Sequence, residues 1–209
     1  MAAQGRFISF EGIDGSGKST QGRMLTDALR AAGHTVTLTR EPGGSVGAEE
    51  IRRLVLEGDA DRWSSETELL LFTAARRDHL EKTIRPALAR GDVVITDRFA
   101  DSTRIYQGLT RADLAGTVDR LHDLIIGVEP DLTFLINIDA EQGLSRAVAR
   151  AGSELRFEGM GLELQIKARQ GFLALAAANP DRFRIIPGAG SVDSVAATVL
   201  DFALAHLGA

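Results

Sequence analysis

Gly12-Ile13-Asp14-Gly15-Ser16-Gly17-Lys18-Ser19-Thr20 joins an apolar run ending at Phe10 to a helical pattern that begins at Lys18. A glycine, four residues and then Gly-Lys-Ser let the chain curl so that successive backbone N–H groups converge on a phosphate, aided by the positive end of the following helix. Glycines are needed because the backbone approaches the anion closely and takes dihedrals closed to other residues. Lys18 is then placed to reach the terminal phosphates of a nucleoside triphosphate, and the Ser19 hydroxyl sits where Mg²⁺ takes an oxygen ligand. With three lysines in the chain, Lys18, Lys82 and Lys167, an accidental match is on the order of a few in a thousand. A nucleotide is the expected ligand, cradled by residues 12–20.

Outward from this loop, short β-rich runs alternate with long helical patterns, which predicts an α/β fold with helices on both faces of a parallel sheet. The strands are expected at Arg6–Phe10, Thr35–Thr39, Asp92–Thr96, Leu132–Ile138 and Phe183–Pro187. Helices are expected around Lys18–Ala32, Val46–Leu56, Glu66–Arg90, Leu114–Ile126, Ala140–Arg150, Leu162–Ala178 and Val192–Leu207. Five strands fit one three-layer, doubly wound sheet, and 209 residues fit one domain. In such a sheet ligands collect beyond the carboxyl ends of the strands. Those positions hold the glycine-rich loop, Arg40-Glu41-Pro42-Gly43-Gly44 and Asp97-Arg98.

Composition narrows the partners. A formal charge of −5 and no basic run of five residues argue against nucleic acid. With no cysteine there is no disulfide framework, thiol nucleophile or thiolate metal site. No apolar run approaches the ~18 residues of a membrane span and the N-terminus lacks a signal-peptide pattern, so the expected location is the cytoplasm. The four histidines are scattered without metal-ligand spacing.

Three further constellations carry chemistry. Asp97 closes an apolar strand where a carboxylate can face Lys18, Ser19 and Mg²⁺, like a Walker B residue, and Arg98 can clamp a phosphate through its planar fork. A structural ion pair at the strand end is the plain alternative. Phe72 and Arg76, four apart, share a helix face suited to a base and its phosphate, although Phe72 taken alone reads as core. Ser102, Thr103, Tyr106 and Gln107 form a comparable cluster suited to a base edge and a sugar, or else a solvated helix. Arg146, Arg150 and Arg156 lie in a segment punctuated by Gly152, Gly159 and Gly161. That pattern suggests a flexible basic lid over about 146–161, or otherwise a solvated helix and loop.

Taken together, Phe10-Glu11-Gly12-Ile13-Asp14-Gly15-Ser16-Gly17-Lys18-Ser19-Thr20, Arg40-Glu41-Pro42-Gly43-Gly44, Leu71-Phe72 with Arg76, and Asp97-Arg98 with Ser102 and Tyr106-Gln107-Gly108 resemble bacterial thymidylate kinases. The resemblance runs in order along nearly the whole chain and implies the P-loop NTPase fold, a homodimer, and Mg²⁺-dependent transfer of the ATP γ-phosphate to dTMP. It further implies that Phe72 stacks on thymine, that Arg76 binds near the base and acceptor phosphate, and that Arg98 holds that phosphate with Arg40 and Glu41 nearby. Asp14 is implied to touch the 3′-hydroxyl and Tyr106 to sit where a 2′-hydroxyl would clash, with Ser102, Thr103 and Gln107 as base or sugar contacts. Family members with an arginine in the variable loop positions use it on the transferring phosphate. Here Ile13, Asp14, Gly15 and Ser16 occupy them, so Arg150 and Arg156 become the candidates. The rivals are another P-loop nucleotide or nucleoside kinase and a regulatory P-loop ATPase.

Overall fold

β1 (Arg6–Glu11) is the central strand of a five-stranded, wholly parallel sheet, with β3 (Val93–Asp97) and then β2 (Val36–Arg40) on one side and β4 (Leu132–Asn137) and then β5 (Phe183–Pro187) on the other. A computed structural model describes residues 5–59, 61–111, 114–149 and 161–208. All five expected strands are present, shifted at most by a residue or two at their ends. The register pairs Phe10 with Asp97, and Asp97 with Arg40, so the ends of β1, β3 and β2 stand side by side at one edge.

Strand side chains alternate between two buried faces, as a sheet covered on both sides requires. Ile8, Phe10, Val93, Ile95, Leu132 and Phe134 point to one face, where Leu25 and Leu29 of α1 (Lys18–Ala31) pack on them. Val195 and Val199 of the C-terminal helix Val192–Leu207 complete that layer. The other face carries Phe7 and Val94 and is covered by Leu80, Ile84 and Ala87, in the segment that follows α3 (Ser65–His79), and by Phe99 and Ile126; α3 itself packs against α2 (Val46–Leu56). Complete burial of a side chain such as Phe10 contributes about 2–3 kcal/mol before entropy is counted.

The expected helix Glu66–Arg90 is not continuous. α3 runs into a wide π-turn at Leu80–Ile84, followed by α4 (Arg85–Ala89). Pro86 explains the break, since it has no N–H for the carbonyl four residues back and its ring crowds that carbonyl. Beyond β3, α5 (Ala100–Thr103) passes into a π-helical stretch, Arg104–Arg111. The expected helix at Leu114–Ile126 divides in the same way into α6 (Ala115–Leu121) and a π-turn at His122–Ile126. α7 (Ala140–Ala149) follows β4, α8 (Gly161–Ala178) precedes β5, and α9 is Val192–Leu207. Among the described residues no helix is long and apolar enough to cross a membrane.

Candidate active site

The loop after β1 takes the shape its glycines allow: Gly12, Gly15 and Gly17 have φ of 139°, 73° and 101°. At Gly15 a Cβ would lie 2.0 Å from the carbonyl oxygen of Gly143, so α7 can pack on the loop only because the side chain is missing. α1 starts at Lys18, whose ammonium donates to the carbonyls of Gly12 at 2.9 Å and Ile13 at 2.8 Å. Burial pushes the Lys18 pKa down to about 8; Arg98 lowers it further, and the carboxylates of Asp97, Asp14 and Glu11 offset part of the effect. Ser19, the next residue of α1, lies at the end of β3, where its hydroxyl donates to Asp97. Ser19 and Asp97 thus supply adjacent hard oxygen donors at the foot of the phosphate loop, which fits Mg²⁺. Among the described residues no group of three His, Cys, Asp or Glu forms a closed metal cage, and Mg²⁺ in phosphoryl transfer takes few protein ligands.

A cleft of about 500 Å³ opens between this loop and the ends of β2 and β3. Its far wall carries Phe72 and Arg76 on α3. Phe72 is half-buried and faces the cleft, not the core interior. Arg76 donates Nε–H to Glu41 at 2.7 Å and Nη2–H to Thr103 Oγ1 at 2.9 Å and to the Phe99 carbonyl at 3.2 Å. Glu41 is fixed in turn by His79, whose Nδ1 lies 2.9 Å from the carboxylate and whose Nε2 lies 2.7 Å from the Thr39 hydroxyl. A carboxylate only accepts, so Nδ1 carries the proton. Gly44, at φ 87°, makes room for this pair, because a Cβ there would fall 2.4 Å from both His79 Nε2 and Thr39 Oγ1.

Arg98 spans the cleft floor. Its guanidinium pairs with Asp14, donates to Ser102 Oγ at 2.9 Å, and lies 5.2 Å from the Tyr106 ring centroid. Burial works against the charge on Arg98, but Tyr106, Asp14, Asp97 and Glu11 raise its pKa overall. Asp14 is held low despite burial by Arg98, Lys18 and a hydrogen bond from Gln165. Gln107 is buried and donates to Glu68 at 2.9 Å, while Arg40 lies at the mouth in an exposed pair with Glu49. Every residue expected to bind an acceptor, namely Arg40, Glu41, Phe72, Arg76, Arg98, Ser102, Thr103, Tyr106 and Gln107, therefore lines one cleft with Asp14, Lys18, Ser19 and Asp97. The hydroxyl of Thr103 and the amide of Gln107 are engaged with neighbours, so they also shape the wall.

Sequence reading passed over several residues that the fold adds. Pro42, Arg52, Leu56 and Phe99 line the cleft, and Arg52 donates to the Pro42 carbonyl at 2.6 Å. Gln165 from α8 grips Asp14 through both backbone and carboxylate. Glu11 lies beneath the cleft, fully buried. Burial pushes its carboxyl up to about 7, assisted by Asp101 and opposed by Ser102, Arg98 and the Phe99 N–H. The signal for Glu11 was its place in Glu11-Gly12, an acid where the strand should be apolar. Arg146 is exposed on α7; Arg150 and Arg156 lie outside the described residues.

Residues 10–199 match the family model of thymidylate kinase. The chain belongs to the thymidylate kinase family. It is 68% identical over 207 residues to the thymidylate kinase of Ruegeria pomeroyi, covering 99% of this chain and 98% of that one. Identity to the thymidylate kinase of Geobacter sulfurreducens is 45%, over 96% and 97% of the two chains. The crystal structure of thymidylate kinase from Ehrlichia chaffeensis superposes with a TM-score of 0.78 at 37% identity, covering 95% of this chain and 98% of that one. The five-stranded sheet and the loop after β1 are thus the P-loop NTPase fold of a nucleoside monophosphate kinase.

Proposed function

We propose that this thymidylate kinase family member transfers the γ-phosphate of ATP to dTMP, giving ADP and dTDP. The carrying observation is a single cleft lined by the P-loop lysine, by Arg98 across its floor and by Arg76 with the half-buried Phe72 on the far wall. Phosphoryl transfer of this kind needs no covalent enzyme intermediate; it needs two phosphates held in line and their charge neutralised. Lys18 and the loop N–H groups hold the donor phosphates. Arg98 holds the acceptor phosphate, with Arg40 and Glu41 at the same edge, and Asp14 meets the sugar 3′-hydroxyl. Phe72 stacks on thymine, a contact worth ~1–3 kcal/mol by analogy with single-strand base stacking. Tyr106 crowds the 2′ position, while Arg76, Ser102, Thr103 and Gln107 shape the base and sugar pocket.

Ser19 and Asp97 would hold Mg²⁺, which would supply charge neutralisation on the donor phosphates. The variable P-loop positions contain no arginine, so positive charge on the transferring group is assigned to Arg150 or Arg156. A homodimer belongs to the same reading on the family resemblance alone, and a cytoplasmic location on the sequence expectation. The test is transfer of label from γ-labelled ATP to dTMP, run on the wild type, Arg150→Ala and Arg156→Ala. Labelled dTDP is expected from the wild type, with a loss in one or both variants. Label released only as inorganic phosphate refutes the kinase reading, and normal kcat in both variants refutes the lid assignment.

A further inference from the structure

Glu11 is fully buried and does not itself line the cleft, yet three donors from residues that do line it converge on its carboxyl group. Oε1 accepts the Phe99 N–H at 2.8 Å and the Ser102 N–H at 3.3 Å, and Oε2 accepts the Ser102 hydroxyl at 2.6 Å. The same Ser102 oxygen accepts from Arg98 Nη1. A chain of contacts thus runs from the end of β1 through Ser102 to the guanidinium that faces the acceptor.

The backbone gives a reason for such bracing. Arg98 has φ 71°, a left-handed conformation uncommon for residues other than glycine. Conformations of this kind persist only where the surroundings over-determine them. The Arg98 N–H donates to the Phe10 carbonyl at 2.9 Å, its carbonyl accepts from Thr96 Oγ1 at 2.9 Å, and Glu11 holds the N–H groups of Phe99 and Ser102 together with the serine hydroxyl. Because Glu11 immediately precedes Gly12, the acceptor turn and the phosphate loop hang from the same strand end.

We propose that Glu11 is a positioning residue: by gripping Phe99 and Ser102 it sets the Arg98 guanidinium at the acceptor phosphate, in register with the P-loop. This deepens the kinase reading and rests on it. All three Glu11 contacts are donors, so an oxygen pair with full acceptor capacity is what the pocket demands.

The test is steady-state kinetics of Glu11→Gln, Ser102→Ala and the double variant, with thermal melts alongside. Glu11→Gln keeps the volume but places an amide among donors; the KM for dTMP is expected to rise about tenfold, with the KM for ATP within about twofold of wild type and the melt close to it. Since Ser102 transmits the effect, the double variant is expected to be no worse than the worse single one. If Glu11→Gln unfolds, Ser102→Ala carries the same expectation for the KM of dTMP. An unchanged KM for dTMP in the folded variants, or parallel rises in the two KM values, overturns the proposal. A wild type with no dTMP-dependent turnover overturns the kinase reading, and this proposal with it.

Discussion

Lys18 is 6% exposed and its ammonium rests on the carbonyls of its own loop, so the side chain is placed before any nucleotide arrives. Preorganised charge is worth most where water is excluded, and removal of one such donor typically lowers kcat by ~10²–10³. Lys18→Ala is expected to lose at least that much turnover while its circular dichroism spectrum and two-state melt remain those of a folded protein. Turnover near wild type would remove Lys18 from the mechanism. The placement of Lys18, Ser19, Asp97 and Arg98 at the cleft was legible in sequence because the pattern is fixed by spacing along a few consecutive residues, and that of Arg76 because it shares a helix face with Phe72. Gln165 was not, since its hold on Asp14 is made across 151 positions and nothing local marks it. His79 was equally hidden, because its partner Glu41 comes from the far end of β2.

At the scale of elements, the strands were legible from their apolar runs and the helices from their periodicity, but the π-turns were not. Pro86 could have signalled the first of them; the break at His122–Ile126 has no such residue, and periodicity cannot register one inserted position. The contact between α7 and the P-loop is made by a small residue. Gly143 is buried in α7, and a Cβ there would lie 2.7 Å from the Asp14 carbonyl and 2.8 Å from Ile13 Cδ1. Gly143→Ala gains about 1 kcal/mol of helix propensity but pushes against the backbone of the loop that binds phosphate. The expected outcome is a raised KM for ATP with little fall in Tm. A variant with unchanged KM would show that the loop and α7 are not rigidly coupled.

Across the whole molecule, Glu129 and Asp101 tie distant segments through shared arginines. Arg104 reaches Asp101 at 2.8 Å and Glu129 at 2.5 Å, and Arg182 at the approach to β5 reaches Asp101 at 2.6 Å. Burial opposes the charge on Glu129, but hydrogen bonds from His122 and Arg104 and the charges of Arg104 and Arg182 hold its pKa down at about 2, against an ordinary 4.5. A folded pKa below the unfolded one gives stability that is fully present above about 4.5 and is lost as pH falls toward 2. Glu129 is more than a third exposed, so solvent screening discounts the effect to about 1 kcal/mol. Glu129→Gln is therefore expected to lower Tm at pH 7 by ~2–4 °C, a deficit that shrinks as the melt is repeated toward pH 2. A deficit independent of pH would mean that packing, not charge, is lost. The acceptor specificity of the whole assembly decides the central claim. The direct measurement is ADP release from Mg·ATP with dTMP, dUMP, dCMP, dGMP and dAMP in parallel, and with no acceptor. Strong dependence on dTMP is the predicted result; ADP release that is the same without any acceptor would contradict it and mark a P-loop ATPase.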